Sequence, residues 1–424
     1  MGSDPQHAKY PDLSLAQDIF NLSTPSLTSL HPASASKLAN SIKENKQASL
    51  YRYLAHPDNG ILAQKGSTEA AKLLPWDESL YEELKKANEE ALSAFDSEAK
   101  EAEEKAGESE VVDAMSKKAE YLAQAADKVS ALKAYEELIL KTPTLGVKID
   151  IVLAIIRLNM FFDDKLGVKE GIDRAKQLVE TGGDWDRRNR LKAYQGLHLL
   201  SIRSFAEAAP LLLDSLSTFT STELCDYDQL VIYAVLAGII SLPRVDFKAK
   251  VVDSAEVLTI LASRKDDTSH NVTTESGVTG FSALESLVNS FHLCLYKDFF
   301  VALAQVEELF LSKDRLLAAH RVYYTREMRR RAYAQLLESY RVVGINSMAD
   351  AFGVTEDWLD KDLSKFIPSG SLNCTIDRVG GVIETNRPDE KNKQYREVIR
   401  QGDQVLTKLQ KFGQAVRLRG SERN

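Results

Sequence analysis

The 424-residue sequence predicts a mostly α-helical protein, in which repeated helical hairpins lead into one small mixed module and a terminal helix. Three observations predict this class. Apolar residues recur at helical spacing over most of the chain. Similar helix–turn–helix stretches follow one another at intervals of roughly 35–40 residues. Alternation with a period of two, which is typical of strands, is confined to one stretch after Ser371.

Composition and charge narrow the class of protein further. With 44% apolar residues the chain can bury substantial cores, and a formal net charge of −8 disfavours general binding of polyanions. The three cysteines lie far apart, form no CxxC pair and are expected to be small buried residues. The sequence has no apolar run of the about 20 residues that cross a membrane, and no secretory signal pattern. We therefore expect a soluble, intracellular protein.

Residues 1–109 predict N-terminal helices followed by one long charged helix. The opening stretch YPDLSLAQDIFNLS has a proline at its entrance and an apolar side. That side consists of Leu13, Leu15, Ile19, Phe20 and Leu22. Residues 23–36 are polar and predict a connector. The stretch DESLYEELKKANEEALSAFDSEAKEAEEKAGESE is rich in Glu, Lys and Ala, which is typical of a long exposed helix.

Residues 110–345 predict an array of helical hairpins. Each of its clearest repeats contains an apolar helix, a short polar turn and a second helix. These repeats are residues 121–140, 160–179 and 197–216. Small residues at one position of each second helix would let paired helices approach closely. They are Ala134, Ala175 and Ala209. A hairpin cannot bury its apolar face alone, so we expect a right-handed solenoid whose register resembles tetratricopeptide repeats. Residues 263–280 interrupt the array with a polar stretch that predicts a loop.

Residues 346–390 predict a winged helix. Met348 and Phe352 recur at helical spacing, and Gly353 stands where a C-cap glycine is expected. Thr355 predicts the N-cap of a second helix. A half-buried strand and a Gly-Gly turn into a second strand follow. Helix, turn, helix and a two-stranded ribbon are the elements of a winged helix, a shape that can read DNA.

The charges of the second helix disfavour DNA as its ligand. The second helix has four carboxylates, all expected to be exposed, but only two lysines, Lys361 and Lys365. The carboxylates are Glu356, Asp357, Asp360 and Asp362. Phosphates repel an acidic helix. We therefore predict a winged helix that binds protein and no DNA.

Residues 391–424 predict a terminal helix and tail. Val398, Gly402, Val405, Leu409, Phe412 and Val416 follow one another at spacings of 4, 3, 4, 3 and 4, a heptad stripe. Tyr395, Ile399 and Leu406 flank the stripe. The helix could pack back on the winged helix of its own chain or insert between partner helices. We favour the partner interpretation, because the stripe follows a complete module.

Two stretches combine arginines with aromatic residues. In GGDWDRRNR, Trp185 stands beside Arg187, Arg188 and Arg190 between two repeat helices. This cluster predicts either a brace between repeats, which we favour, or an interface hot spot. In YYTREMRRRAYAQLLESYR, four arginines lie among tyrosines, and they are Arg326, Arg329, Arg330 and Arg331. Such a patch suits single-stranded RNA or an acidic protein, and the negative charge of the chain favours the protein.

The sequence carries no motif of a catalytic, metal or cofactor site. The seven histidines are scattered and form no HExxH pattern, and neither a GxxxxGK[ST] phosphate loop nor a GxSxG elbow occurs. We therefore predict that the protein is not an enzyme and needs no cofactor and no metal.

Helical repeats that run into a winged helix, followed by a heptad-bearing helix, resemble the PCI domain. Proteins with this domain build the proteasome lid, the signalosome and translation initiation factor three. The stretches GGDWDRRNRLKAYQGLH, FIPSGSLNCTIDRV and ETNRPDEKNKQY are similar to one family of lid subunits, the non-ATPase subunits numbered seven in fungi and six in animals. The resemblance covers nearly the whole chain, with residues 263–280 as an insertion.

The resemblance implies a non-catalytic scaffold subunit of the 26S proteasome lid, a hetero-oligomer of the cytoplasm and nucleus. Winged helices of the family pack edge to edge, and C-terminal helices gather into one bundle. The implied partners are other PCI and deubiquitinating-type lid subunits, a small acidic tether protein at the four-arginine patch, and the ATPase ring. The alternatives are a PCI subunit of the signalosome and an RNA-binding PCI protein.

Overall fold

The structure, a computed structural model, describes residues 9–64, 68–105, 108–264, 279–386 and 390–421. The described residues are mostly helical with one three-stranded sheet, which confirms the predicted class. The helices are α1 Leu13–Ser23, α2 His31–Glu44, α3 Ala48–Ala55, α4 Ile61–Gln64, α5 Thr68–Leu73, α6 Glu78–Lys105, α7 Glu108–Gln124, α8 Lys128–Lys141, α9 Leu145–Phe161, α10 Lys165–Gly182, α11 Trp185–Ser201, α12 Phe205–Ser215, α13 Tyr227–Ser241, α14 Arg244–Phe247, α15 Ala255–Ser263, α16 Gly280–Leu293, α17 Tyr296–Val306, α18 Arg321–Ser339, α19 Ile345–Phe352, α20 Glu356–Phe366 and α21 Glu390–Ser421. The strands are β1 Val342–Gly344, β2 Cys374–Asp377 and β3 Val382–Thr385. Short 3-10 or π turns occupy Pro25–Leu30, Leu216–Thr218, Lys248–Val252, Glu307–Leu311 and Ala318–His320.

The chain forms two compact units, of which the first ends at Met328 and the second begins at Arg329, inside α18. The four-part division of the sequence stays a prediction, as does the right-handed course of the repeats. Most of the polar insertion, residues 265–278, lies outside the described residues. No helix in the described part of the chain is both long and apolar enough to cross a membrane.

Among the described residues of the first unit, one kind of turn joins the helices of five hairpins. Each turn contains a non-glycine residue in the left-handed region, and these residues are Lys46, Ala126, Asp163, Arg203 and Cys294. The N–H of the following residue donates to the carbonyl five residues earlier, over 2.8–3.1 Å. This bond is that of a Schellman C-cap. The residue that donates it is already the N-cap of the next helix, so the chain reverses within two residues.

The helices of each hairpin pack on each other and on the next hairpin. Contacts join α7 to α8, α8 to α9, α9 to α10, α10 to α11 and α11 to α12. Because α9 and α13 are covered on several sides, apolar residues surround nearly the whole helix rather than one stripe. Of the three small residues expected at close helix contacts, Ala175 and Ala209 are fully buried, whereas Ala134 is half-buried.

The connector expected over residues 23–36 is wrong. A 3-10 turn fills its first half, and α2 begins at His31. The Ser34 hydroxyl donates to the buried Asp18 carboxylate of α1 over 2.7 Å. Hydrophobic periodicity misses this helix start because part of its contact with α1 is polar.

The second unit contains a winged helix with one strand more than the sequence predicts. The sheet order is β1–β3–β2, with both pairs antiparallel, and Val343 of β1 lies opposite Ile383 of β3. Strand β1 has three residues, too few to display alternation. The helices α19 and α20 and the Gly380–Gly381 turn lie where the sequence predicts them. Gly353 and Gly381 have φ values of 66° and 62°, the left-handed region that glycine enters at low cost.

The left-handed turns predict that a glycine at position 46 stabilises the protein. Lys46 is exposed at φ 51°, and its side chain contributes to no described hydrogen bond or ion pair. Because a non-glycine residue is strained there, Lys46→Gly should raise the free energy of unfolding by about 0.5–1 kcal/mol. Lys37→Gly, inside α2, is the matched control and should lower it by about 1 kcal/mol. Urea denaturation measures both, and equal destabilisation would refute the turn assignment.

Candidate protein-interaction site

The C-terminal helix α21 presents its apolar stripe to solvent. All eight residues predicted for a subunit interface are exposed, with exposed fractions between 53% and 69%. They are Tyr395, Val398, Ile399, Val405, Leu406, Leu409, Phe412 and Val416. A contiguous apolar stripe of this kind is typical of helix–helix docking. The exposure favours the partner interpretation over packing on the winged helix of the same chain.

Local charges support the helical form of α21. Arg400 donates to Glu397 one turn earlier over 2.6 and 3.0 Å. Hydrogen bonds from Arg400 and Gln401 hold the pKa of the Glu397 carboxyl below its usual value. This pair lies on the solvated surface, where it supports a helix without covering its apolar side.

Asp362 in the winged helix is buried, and the expectation that it is exposed is wrong. It lies in the apolar stripe of α20, between Leu359 and Leu363, and is 2% exposed. The Tyr333 hydroxyl donates to its carboxylate over 3.1 Å, and Arg329 Nε lies 3.6 Å away. Burial, and then the charge of Asp362, raise the pKa of the Tyr333 hydroxyl well above its usual value. The sequence does indicate this burial, because Asp362 lies three residues after Leu359, and residues three or four apart share one helix face.

The surface of α20 is consequently less acidic than the sequence predicts. Asp360 is half-buried and pairs with Arg378 over 2.7 Å. Glu356 and Asp357 are exposed, as are two lysines of the same helix. Because the exposed acidic residues and the exposed lysines of α20 are equal in number, this helix no longer supplies an electrostatic argument against DNA binding.

The four arginines of α18 lie in different surroundings. Arg326 is exposed, and its guanidinium lies 5.8 Å from the centre of the Tyr323 ring. Arg329 turns toward Asp362 and lies 5.6 Å from the Trp358 ring. Arg330 and Arg331 are half-buried. A common acidic-partner patch of the four stays a prediction, and Arg329 already contacts a carboxylate within its own unit.

Arg187 and Arg190 join three segments of the first unit. Arg187 donates to the two oxygens of Asp150 on α9 over 3.0 and 2.6 Å, and it also bonds Asp184. Arg190 donates to Glu223, in the loop after α12, over 2.6 Å, and its Nη1 lies 3.6 Å from Asp150. These contacts favour a brace between repeats, an interpretation that stays a prediction.

The network around Arg190 reaches the N-terminal segment. The Tyr194 hydroxyl donates to Glu223 over 3.1 Å and accepts from Arg157 over 3.2 Å. Arg157, which is 1% exposed, donates to the backbone carbonyl of Tyr10. Burial raises the pKa of the Asp150 carboxyl, while the bonds from Arg187 oppose that change. The network therefore links residues that lie far apart in the sequence.

Sequence reasoning missed the acidic partners of this network. Asp150 precedes Arg187 by 37 residues, which is close to one repeat. The sequence signal that could have identified Asp150 is a carboxylate that lies one repeat length before an arginine. Trp185, by contrast, is 65% exposed, and Arg188 bonds only the carbonyl of Gly183 among the described atoms. The interface interpretation of Trp185 stays a prediction.

A cavity of about 320 Å³ in the first unit lies beside α1 and is lined by polar and apolar residues. Cys225 lines it, and burial raises the pKa of this thiol far above its usual value, so the reactive thiolate is disfavoured. Burial also lowers the pKa of His198, another lining residue. Over the described ranges of the chain, no group of three or more potential ligands is placed to hold a metal ion.

Stacked helical hairpins, a winged helix and an exposed amphipathic terminal helix define a PCI-type assembly protein. Family profiles match three parts of the chain. The profile described as 26S proteasome subunit RPN7 matches residues 77–250, that of the PCI domain residues 303–387, and that of the RPN7/PSMD6 C-terminal helix residues 394–416. The chain belongs to the family of 26S proteasome regulatory subunits RPN7/PSMD6. The resemblance inferred from the sequence motifs is confirmed.

Relatives from distant organisms match over nearly their full length. The 26S proteasome regulatory subunit rpn7 of Schizosaccharomyces pombe is 45% identical over 410 residues, 97% of each chain. RPN7 of Saccharomyces cerevisiae is 42% identical, over 90% of this chain and 87% of its own. The non-ATPase regulatory subunit 6 homolog of Arabidopsis thaliana is 39% identical, over 99% and 100%.

The buried brace predicts a large effect of removing Asp150. Asp150→Ala leaves the arginines at 187 and 190 without their shared carboxylate, and it should lower the free energy of unfolding by about 3–5 kcal/mol. Arg174→Ala, which breaks an exposed pair with Glu136, is the control and should cost at most about 1 kcal/mol. Urea denaturation followed by circular dichroism measures both, and equal effects would show that the brace contributes no more than a surface pair.

Proposed function

We propose that the chain is a non-catalytic scaffold subunit of the 26S proteasome lid that assembles through its PCI winged helix and its C-terminal helix. In that role it supports ATP-dependent degradation of ubiquitinated proteins. The observation that carries the proposal is the exposed stripe of α21. Exposure of its eight large apolar side chains to water is unfavourable, and burial against partner helices would remove that exposure.

The stripe suits a helical bundle rather than a flat surface. Its residues follow a heptad, so each apolar side chain can enter a gap between residues of a neighbouring helix. If each side chain contributes about 1–2 kcal/mol on burial, a bundle would recover enough free energy to offset the ordering of the helix. The partners expected there are the C-terminal helices of other lid subunits.

The remaining partners follow from the family. We propose neighbouring PCI subunits for the winged helix, with deubiquitinating-type lid subunits, the ATPase ring and a small acidic tether protein as further contacts. Because the chain lacks the motifs of an active site, its role would be to hold these proteins in position relative to one another. A subunit in this complex would occur in the cytoplasm and the nucleus.

The two alternatives have less support. The relatives named above are proteasome subunits, which favours the lid over the signalosome. The RNA alternative depends on the arginines of α18, and Arg329 already contacts Asp362 and Trp358. A basic surface that is partly neutralised binds phosphates less tightly.

The bundle proposal predicts that charges on the stripe prevent assembly. Leu409→Asp together with Phe412→Asp should abolish entry into the lid, because each carboxylate would lose its water inside the bundle. The free chain should keep its thermal midpoint, since both side chains are exposed. Co-expression with the other lid subunits, followed by native mass spectrometry, measures incorporation.

The matched control places the same charges on the opposite side of the helix. Thr407→Asp together with Gln414→Asp keeps the length and the added charge of the first variant, and it should enter the lid normally. A chain that ends before Tyr395 should stay folded and remain outside the lid. Normal incorporation of the Leu409/Phe412 variant would refute the bundle role.

A further inference from the structure

The proposed lid contacts do not use the cavity of about 320 Å³ beside α1. Further parts of its lining come from the α9–α10 turn, α11 and the loop before α13, and Arg315 lines it from the segment between α17 and α18. Leu13, Val168 and Leu224 make part of the lining apolar. A cavity of this volume is large enough for a small ligand, and ligand pockets combine apolar walls with a few polar groups.

One glutamine of α1 ties this helix to the segment that carries Arg315. The Gln17 side-chain amide donates to the Lys313 carbonyl over 2.7 Å, and its carbonyl oxygen accepts from the Arg315 backbone N–H over 3.0 Å. The Arg315 guanidinium donates through Nη1 to the Met160 carbonyl, at the end of α9, over 2.7 Å. These bonds join three segments around the cavity. Its lining is therefore positioned before a ligand binds, which lowers the entropy lost on binding.

Two polar side chains that line the cavity are more than nine-tenths buried and have unused hydrogen-bonding capacity. His198 is 7% exposed, and its ring nitrogens have no hydrogen-bond partner among the described residues. Burial lowers the pKa of this imidazole, so near neutral pH the ring is uncharged and offers one donor and one acceptor. Asp18 is 6% exposed. The Ser34 hydroxyl donates to one of its carboxylate oxygens, and the other accepts no bond within the described part of the chain. Because buried polar groups are normally paired, both side chains favour a polar ligand.

Arg315 supplies a cation that has no carboxylate of the described residues within ion-pair distance. Its Nη1 bonds the Met160 carbonyl, whereas Nε and Nη2 have no acceptor among the described atoms. Burial lowers the pKa of the guanidinium, and the carboxylates of Asp163 and Asp314 oppose that change from beyond ion-pair distance. The Nε and Nη2 atoms form one edge of the planar group, and such an edge can hold a carboxylate through two parallel bonds.

The exposed charges around the cavity are of both signs. Asp12, Asp163 and Asp226 line it and take part in no ion pair within the described ranges. Lys37 and Lys165 line it as well and are likewise exposed. A ligand with negative charge alone meets the three carboxylates, and a ligand with positive charge alone leaves the guanidinium without a partner. The lining therefore suits a ligand that carries one charge of each sign.

We infer that this cavity binds a small zwitterion with an apolar body, of the size of an apolar amino acid or a dipeptide. The free edge of Arg315 holds the ligand carboxylate, and the carboxylates of Asp18 and the exposed rim attract its ammonium group. The neutral His198 ring bonds a polar group of the ligand, and the apolar side chains of the ligand pack against the apolar part of the lining. The inference does not depend on the lid role, because the residues that line the cavity do not include the α21 stripe.

The test uses the full-length chain and L-leucyl-L-leucine as the probe. Isothermal titration calorimetry should show one binding site per chain, and the probe should raise the thermal midpoint because it binds the folded state only. Two analogues each remove one charge. The N-acetylated dipeptide lacks the ammonium group, and the dipeptide amide lacks the carboxylate. Each analogue should bind about tenfold more weakly or worse, because a charge of the lining then has no partner.

Two variants connect the binding with particular side chains. Arg315→Met removes the guanidinium and should weaken binding about tenfold or more. His198→Phe keeps an aromatic ring without its nitrogens. It should weaken binding of the probe and leave the thermal midpoint of the free chain unchanged, because the His198 ring has no described hydrogen bond to lose. Arg321→Met, which removes an arginine outside the cavity lining, is the matched control and should leave the affinity unchanged.

The Arg315 variant also loses the bond to the Met160 carbonyl, so thermal midpoints establish whether it is folded. If it unfolds, His198→Phe and the two analogues decide. Three results would overturn the inference: no binding of the dipeptide at millimolar concentration, analogues that bind as tightly as the dipeptide, or an equal loss of affinity in Arg321→Met. The lid assay with Leu409 and Phe412 is independent, so the two proposals can fail separately.

Discussion

The molecule depends on one packing constraint, which is that a two-helix hairpin has more apolar surface than its own two helices can cover. In the first unit the next hairpin covers the remainder, as the all-round burial of α9 and α13 shows. The two-residue Schellman turn makes this packing possible, because it returns the chain antiparallel without a loop that would separate the layers. Non-glycine residues accept the strained turn position in five hairpins, which indicates that packing outweighs a local cost of about 1 kcal/mol each.

Polar contacts add specificity to an array whose apolar contacts are similar from repeat to repeat. Leucine against leucine tolerates small shifts, whereas the bidentate bond from Arg187 to Asp150 fits one register only. The same reasoning applies to Asp362 in the winged helix, where the hydroxyl of Tyr333 defines one orientation of α20 against the end of α18. A buried charge pair contributes little net stability, but removal of one partner is costly, so both contacts disfavour misaligned packing.

The sequence predicts those features that depend on local periodicity. The hairpins, α19, α20, the glycine turn and the terminal helix follow from spacing within one or two turns, and the structure places them accordingly. Strand β1 was missed because its three residues show no period, and α2 because polar bonds define its start. The site was predicted in part. The stripe of α21 is visible in the sequence, whereas the contact of Arg157 on α9 with the backbone carbonyl of Tyr10 depends on how distant segments pack, which no local pattern records.

The exposed stripe has a consequence for stability as well as for assembly. An isolated helix gains little from its own hydrogen bonds, since nucleation is unfavourable and solvent screens exposed pairs such as Glu397–Arg400. Burial of the apolar side in a bundle would supply the missing free energy, so formation of α21 and entry into the proposed bundle would be thermodynamically coupled. The helix is then more stable wherever the partner helices are abundant, by mass action. The free chain exposes an apolar surface of the kind that promotes aggregation. A subunit built in this way is favoured to remain in its complex once it has entered, because dissociation would expose the stripe again.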